Sequence, residues 1–174
     1  SPLLFVKPNT SVVGPDDPLV LPHWSAEAHH EAELAVVIGK VTKEVSAERA
    51  LDQVFGFTVA NDVTARDAQR TDSQWLRAKG FDSAWPVVVP GLDPADLAVV
   101  ARVNGQVRQQ ARTTDLIFDV AFLVSYVSEV CTLLPGDVIL TGTPAGVGPI
   151  EHGDVVECEG EGIGVLRNPV LRRD

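Results

Sequence analysis

Apolar positions along this chain fall in short runs punctuated by Gly, Pro, Asn and Asp, the rhythm of strands and turns rather than of long helices. The densest run, Leu34-Ala-Val-Val-Ile-Gly39, reads as a buried strand, and Phe55-Gly-Phe-Thr-Val-Ala60 as a second that ends on Asn61-Asp62. Further strands are predicted at Leu3-Leu-Phe-Val6, Leu19-Val-Leu21, Trp85-Pro-Val-Val-Val89, 98–103, Val138-Ile-Leu-Thr141, and near 154–159 and 163–167. Asn104-Gly105 between Val103 and Val107 is a two-residue hairpin signal. Helical spacing is scarcer. Ala47, Ala50, Leu51 and Val54 share one side of a predicted helix over 47–54 behind a Ser46 cap. Residues 64–70 predict a short helix or helical turn capped by Thr64. Val120, Leu123, Val124, Val127 and Val130 form the apolar face of a helix that starts at an Asp119 cap. Five prolines in the first 25 residues exclude a long helix there. Residues 71–83, with Trp75, Lys79 and Asp82, read as a long loop of the kind that often carries function. Residues 142–148 form a glycine-rich loop. Strands dominate, and helices do not alternate with them as a βαβ array requires, so the predicted class is a β-rich α/β fold.

Composition narrows the function classes. With 45% apolar and 22% charged residues the chain matches a globular protein, neither disordered nor membrane-embedded. Its 174 residues, without a repeat or linker, suit one domain over 1–174. A net charge of −10 argues against nucleic acid or an anionic membrane as partner. An anionic small-molecule substrate would then need local positive charge. Two cysteines without CxxC spacing suggest reduced thiols and a cytoplasmic location. Ser1-Pro-Leu-Leu-Phe does not resemble a translation start, so a segment upstream is expected to be missing.

The candidate chemistry centres on His30-Glu-Ala-Glu33. A strand's period of two puts Glu31 and Glu33 on one face, with Cα atoms about 6.5–7 Å apart. Acids that close at the edge of an apolar core call for a hard divalent cation; two solvated glutamates at an exposed strand end would give the same pattern. Asp62, at the end of the second strand, is either a third ligand or a helix N-cap. Lys79 is either a cation for a substrate carboxylate or enolate oxygen, or a solvated surface lysine. Arg66 and Gln69 follow Asp62 at helical spacing, and Arg66 has an ion pair within that helix open to it. Thr143, in Thr141-Gly-Thr-Pro144, sits where a tight loop presents N–H groups and a hydroxyl to an anion. His23, His29 and His30 match no zinc spacing, and His30 is expected to pack beside the acids. There is no nucleophile elbow, which argues against covalent catalysis.

Taken in order, His30-Glu-Ala-Glu-Leu-Ala-Val-Val-Ile-Gly39, Asn61-Asp-Val-Thr-Ala-Arg-Asp-Ala-Gln69, Lys79 and Thr141-Gly-Thr-Pro-Ala-Gly-Val-Gly148 resemble the catalytic C-terminal domain of the fumarylacetoacetate hydrolase family. The resemblance runs from about Leu3 to the C-terminus. It implies a mixed β-sandwich or roll with a few short helices, a homodimer, and Mg2+ or Mn2+ (Ca2+ in some members). By residue match it makes Glu31, Glu33 and Asp62 the metal ligands, puts Gln69, Lys79 and Thr143 at the substrate, and gives Lys79 the catalytic part. The implied activity is hydrolysis of a C–C bond in an acylpyruvate or other 2,4-dioxo acid through an enolate. Oxaloacetate decarboxylation and isomerisation of 2-hydroxyhepta-2,4-diene-1,7-dioate are the alternatives on the same site, and a non-catalytic metal-binding dimer is the alternative of another class. One departure stands out: members of the family typically carry a His and a nearby Glu on a lid upstream of Leu4-Phe-Val-Lys-Pro8, and nothing precedes Ser1 here.

Overall fold

The computed structural model describes residues 1–81, 83–84 and 88–172. In chain order the strands are β1 (Val12–Val13), β2 (Leu19–Leu21), β3 (Ala28–His30), β4 (Ala32–Ile38), β5 (Val54–Asn61), β6 (Thr64–Ala65), β7 (Ser83–Ala84), β8 (Ala98–Val103), β9 (Gln106–Arg112), β10 (Val138–Leu140), β11 (Gly148–Pro149), β12 (Val155–Gly160) and β13 (Gly164–Arg172). The α-helices are α1 (Ala47–Ala50), α2 (Arg66–Thr71), α3 (Leu76–Lys79) and α4 (Val120–Val130). With 37% strand and 22% helix, the β-rich mixed class holds.

Two five-stranded sheets, β1-β7-β5-β4-β10 and β2-β13-β12-β8-β9, enclose the core, and a small sheet β11-β3-β6 closes one end. Leu34, Val36 and Ile38 of β4 and Val59 of β5 join Val99, Ala101, Val156, Leu166 and Val170 of the second sheet in one apolar cluster. Every residue of β4 is buried, so its alternation disappears, as in a strand covered on both faces. On β8 the alternation survives, with Val99, Ala101 and Val103 inward. Asn104 and Gly105 both take positive φ (52° and 76°), the backbone of the predicted hairpin turn.

Several local expectations change once tertiary context acts. The segment 3–6 forms no strand; Leu3 and Val6 are exposed. The helix at 47–54 shrinks to α1 plus a 3-10 turn (Leu51–Gln53), because Val54 already pairs with Ile38 in the β4–β5 ladder, and Ser46 makes no capping bond. Asp119 does cap α4, accepting from Phe122 N at 2.7 Å. Val130 turns to solvent, while Ser128 is buried in its place and accepts from Val45 N. Residues 71–83 are not all loop, since α3 lies among them. Of the strand expected over 85–89, residues 85–87 lie outside the described residues, as does Asp82; Val89 forms an isolated bridge with Phe57. Among the described residues no helix is long and apolar enough to cross a membrane.

Candidate metal and substrate site

Glu31 is the single residue between β3 and β4, which belong to different sheets. Its N–H donates to Asn61 Oδ1 (3.0 Å), and its carbonyl accepts from Asp62 N (2.8 Å). The antiparallel register sets Ala32 opposite Asn61 and Glu33 opposite Ala60, so Asp62, the residue after β5, arrives beside both glutamates. Glu31, Glu33 and Asp62 are all buried, and each offers an oxygen within 4.8 Å of the others. Neither glutamate sits at a solvated strand end, and Asp62 caps no helix, since α2 begins at Arg66 behind Ala65.

Cations answer two of the three acids. Lys79 Nζ donates to Asp62 Oδ2 (2.6 Å) and Glu31 Oε2 (2.9 Å) and lies 4.9 Å from the Phe5 ring centroid. It is a buried residue of α3, which excludes the surface-lysine alternative. Burial opposes its charge, but the Asp62 and Glu31 carboxylates overcome that and hold its pKa above the usual value. Arg66 does not pair within its helix; its NH2 reaches Glu31 Oε1 at 2.5 Å, where Thr64 Oγ1 also donates (3.1 Å). Thr64 is thereby engaged at the acids rather than capping α2. Lys7 is a residue that sequence reasoning missed. Its Nζ stands 2.8 Å from Asp62 Oδ1 and donates to the Lys79 carbonyl, while burial pulls its pKa down against the attraction of Asp62. Nothing in a proline-rich, aperiodic stretch would single it out.

Glu33 has no ion-pair partner among the described residues. Its Oε2 accepts from Gly142 N at 2.6 Å, and burial, with the Asp62 and Glu31 charges, raises its pKa well above the ordinary carboxylate range. The partner of Asp62 Oδ1 is the Lys7 ammonium at 2.8 Å. A preassembled, buried, all-oxygen set in which Glu33 has no cation among the described residues fits a hard divalent cation.

Gln69 and Thr143 line a cavity of about 570 Å3 together with the three acids and Lys79. Leu116, Leu123, Val127 and Ile139 add apolar surface to its lining. Gln69 Oε1 accepts from Arg66 NH1 (2.8 Å). The Thr143 hydroxyl donates to Ala32 O (2.9 Å) and accepts from Gln109 Nε2 (2.8 Å), so it offers a ligand a lone pair and no proton. Within this loop, donation to an anion falls to the backbone N–H groups. His30 is buried with Nδ1 3.1 Å from Gln109 Oε1, and burial lowers its pKa: it packs beside the acids, as expected. The loop itself depends on Gly146, which has φ +102° and where a Cβ would meet Arg108 O at 2.1 Å. Gly146→Ala is expected to cost at least about 2 kcal/mol in urea unfolding, from strain alone; a loss below about 0.5 kcal/mol would contradict this packing.

The profile of the fumarylacetoacetate (FAA) hydrolase C-terminal family matches residues 1–171. The chain belongs to this family. A 5-carboxymethyl-2-hydroxymuconate delta-isomerase from Mycobacterium smegmatis is 54% identical and superposes with a TM-score of 0.98, over 100% of this chain and 70% of that one. A fumarylpyruvate hydrolase from Pseudomonas aeruginosa, solved in complex with Mn2+ and pyruvate, is 32% identical with a TM-score of 0.92, over 97% of this chain and 78% of that one. A human mitochondrial oxaloacetate tautomerase is 46% identical over 186 residues, which is 98% of this chain and 59% of that protein. Members of the fumarylacetoacetate hydrolase family are thus enzymes, and at least one holds a divalent metal.

Proposed function

We propose that this chain is a divalent-metal-dependent enzyme that generates the enolate of a small anionic 2-oxo acid, with hydrolysis of an acylpyruvate C–C bond as the leading reaction. The observation that carries this reading is the convergence of three buried carboxylates with the Lys79 ammonium in a cavity that apolar side chains also line. Glu31, Glu33 and Asp62 would hold Mg2+ or Mn2+, which supplies Lewis acidity to the carboxylate and 2-oxo oxygens of a substrate. Fully ionised, the three acids are balanced by Lys7, Lys79 and Arg66, so the protein groups alone leave the site near neutrality. A carboxylate next to a developing enolate then meets a net positive environment only when an ion is bound. Lys79 would steady the enolate oxygen. Gln69 and the backbone of the loop around Thr143 would orient the acid, and Leu116, Leu123, Val127 and Ile139 would exclude water from its acyl arm.

The enolate has more than one exit. In hydrolysis, water adds to the distal carbonyl and the C–C bond breaks to a carboxylic acid and pyruvate enolate; in oxaloacetate, loss of CO2 leaves the same enolate. Proton transfer without bond cleavage gives isomerisation or tautomerisation. This last reading is favoured by one observation: the isomerase relative, at 54% identity, stands nearer than the hydrolases at 43% and 32%. A panel of acetylpyruvate, fumarylpyruvate, oxaloacetate and 2-hydroxyhepta-2,4-diene-1,7-dioate, assayed with Mn2+ and Mg2+, separates the exits by product. Chelation is expected to remove turnover and added Mn2+ to restore it. Metal-independent turnover, or none with any 2-oxo acid, would overturn the proposal. A homodimer acting in the cytoplasm belongs to the same reading, supported by exposed Ile117, Val130 and Leu134 and by two free cysteines.

A further inference from the structure

β9 is a polar strand with one buried member, Gln109. The β8–β9 register slips between Ala101 and Arg102: Ala101 faces Gln109 and Arg102 faces Val107, which leaves Arg108 as a bulge. A bulge re-aims the next side chain, and here it turns Gln109 inward while Val107 stays exposed.

Inside, the amide uses all four of its hydrogen-bonding positions. Oε1 accepts from Ala32 N (3.0 Å) and faces His30 Nδ1 (3.1 Å); Nε2 donates to Thr143 Oγ1 (2.8 Å) and Pro144 O (2.8 Å). The orientation is dictated by its partners, because an amide N–H accepts nothing and a prolyl carbonyl donates nothing. Oε1 as acceptor also makes His30 the Nδ1–H tautomer. Thr143 Oγ1 closes a ring by donating to Ala32 O (2.9 Å). Ala32 lies between the two glutamates, so Gln109 and Thr143 between them hold the peptide units on either side of it. β10 ends at Leu140, and these side chains carry on its pairing along β4. The clamped loop also sends Gly142 N to Glu33 Oε2 (2.6 Å).

We infer that Gln109 is a positioning residue of this site, clamping the glycine-rich loop to the strand that carries Glu31 and Glu33 and thereby setting where Glu33 and Thr143 stand. The inference rests on the proposed function, since it gives those two residues their ligands. Gln109 itself touches neither metal nor substrate.

The test is calorimetry on the metal-stripped chain, titrated with Mn2+ alone, and then on the Mn2+-loaded chain titrated with pyruvate. Gln109→Met keeps the length and removes all four bonds. It is expected to weaken both Mn2+ and pyruvate binding by about 10-fold or more. Thr143→Val should weaken pyruvate binding, Thr143→Ser should restore it, and Gln109→Met added to Thr143→Val should cost clearly less than it does alone, because both act through one ring. Should Gln109→Met fail to fold, Gln109→Asn retains an amide too short to span Ala32 and Thr143, and the same weakening is expected. A folded variant with a lower melting temperature but both affinities within about twofold of the parent would overturn the inference and leave Gln109 a packing residue. Failure of both variants to fold would overturn it as well, by making Gln109 part of the core. If the parent chain binds no Mn2+, the metal reading fails and takes this inference with it; Mn2+ binding untouched by Gln109 substitution sinks the inference alone.

Discussion

Glu33→Gln is expected to weaken Mn2+ binding at least about 100-fold while leaving the metal-free protein as stable as the parent, or more so. The reason is that Glu33 is the acid of the site without an ion-pair partner among the described residues, buried beside two others. Its folded pKa lies above the unfolded value, so its contribution to stability is present below the unfolded pKa and is lost as pH rises toward the folded one. Raising the pH therefore drives the parent toward an ionised, desolvated carboxylate that a bound cation relieves. Gln keeps the shape and the Gly142 N–H contact without that titration. Melting temperature should accordingly decline less between pH 4.5 and neutrality in the variant than in the parent, and added Mn2+ should raise it only in the parent. Undiminished Mn2+ affinity in the variant would remove Glu33 from the ligand set.

The opposite signature is expected of Lys79→Met. Lys79 is the cation shared by Glu31 and Asp62, and deleting it leaves both buried acids short of a partner. Breaking a buried pair from one side costs about 3–5 kcal/mol; Arg66 still faces Glu31 and Lys7 still faces Asp62, so the metal-free variant should melt below the parent by less than that full cost. Mn2+ should then recover more of the melting temperature in the variant than it adds to the parent, since the ion takes over the missing compensation. Turnover should stay lower by about 100-fold or more even with saturating Mn2+, because the ion does not replace the ammonium at the enolate oxygen. Calorimetric melts with and without Mn2+, paired with steady-state rates, read both effects. A melt and a rate equal to the parent's would remove Lys79 from the charge balance and the chemistry of the site.

These two residues illustrate what was legible beforehand. Glu31 and Glu33 advertise themselves because acids rarely lead directly into an apolar run, and the long buried strands β4 and β5 could be read from hydrophobic runs alone. Lys79 was a candidate from its loop, but only family context chose it over a surface lysine, since a lysine in a polar stretch carries no signal of burial; α3 and the pull of two carboxylates supply it. Gln109 was invisible for a specific reason. Strict alternation puts Val107 and Gln109 on one face, and the bulge at Arg108 breaks that alternation through a register shift no local pattern announces. Lys7 and Arg66 were missed or misassigned because their partners lie 55 and 35 residues away along the chain, at Asp62 and Glu31. The Thr143 hydroxyl was located but its proton was not, because its acceptor, the Ala32 carbonyl, is 111 residues distant.

By itself the sequence determined the β-rich class, the two central strands, the Asn104-Gly105 hairpin, the Asp119-capped helix and the family, all of which rest on interactions within a few residues or on motif order. Tertiary structure decided which charges meet. The β4–β5 register delivers Asp62 to the glutamates, α3 delivers Lys79, the N-terminal segment delivers Lys7, and a one-residue bulge delivers Gln109. Burial then separates their behaviour, raising Glu33 and lowering Lys7 while neighbouring carboxylates keep Lys79 charged. Electrostatic energies depend on distance and desolvation, which only the folded chain specifies.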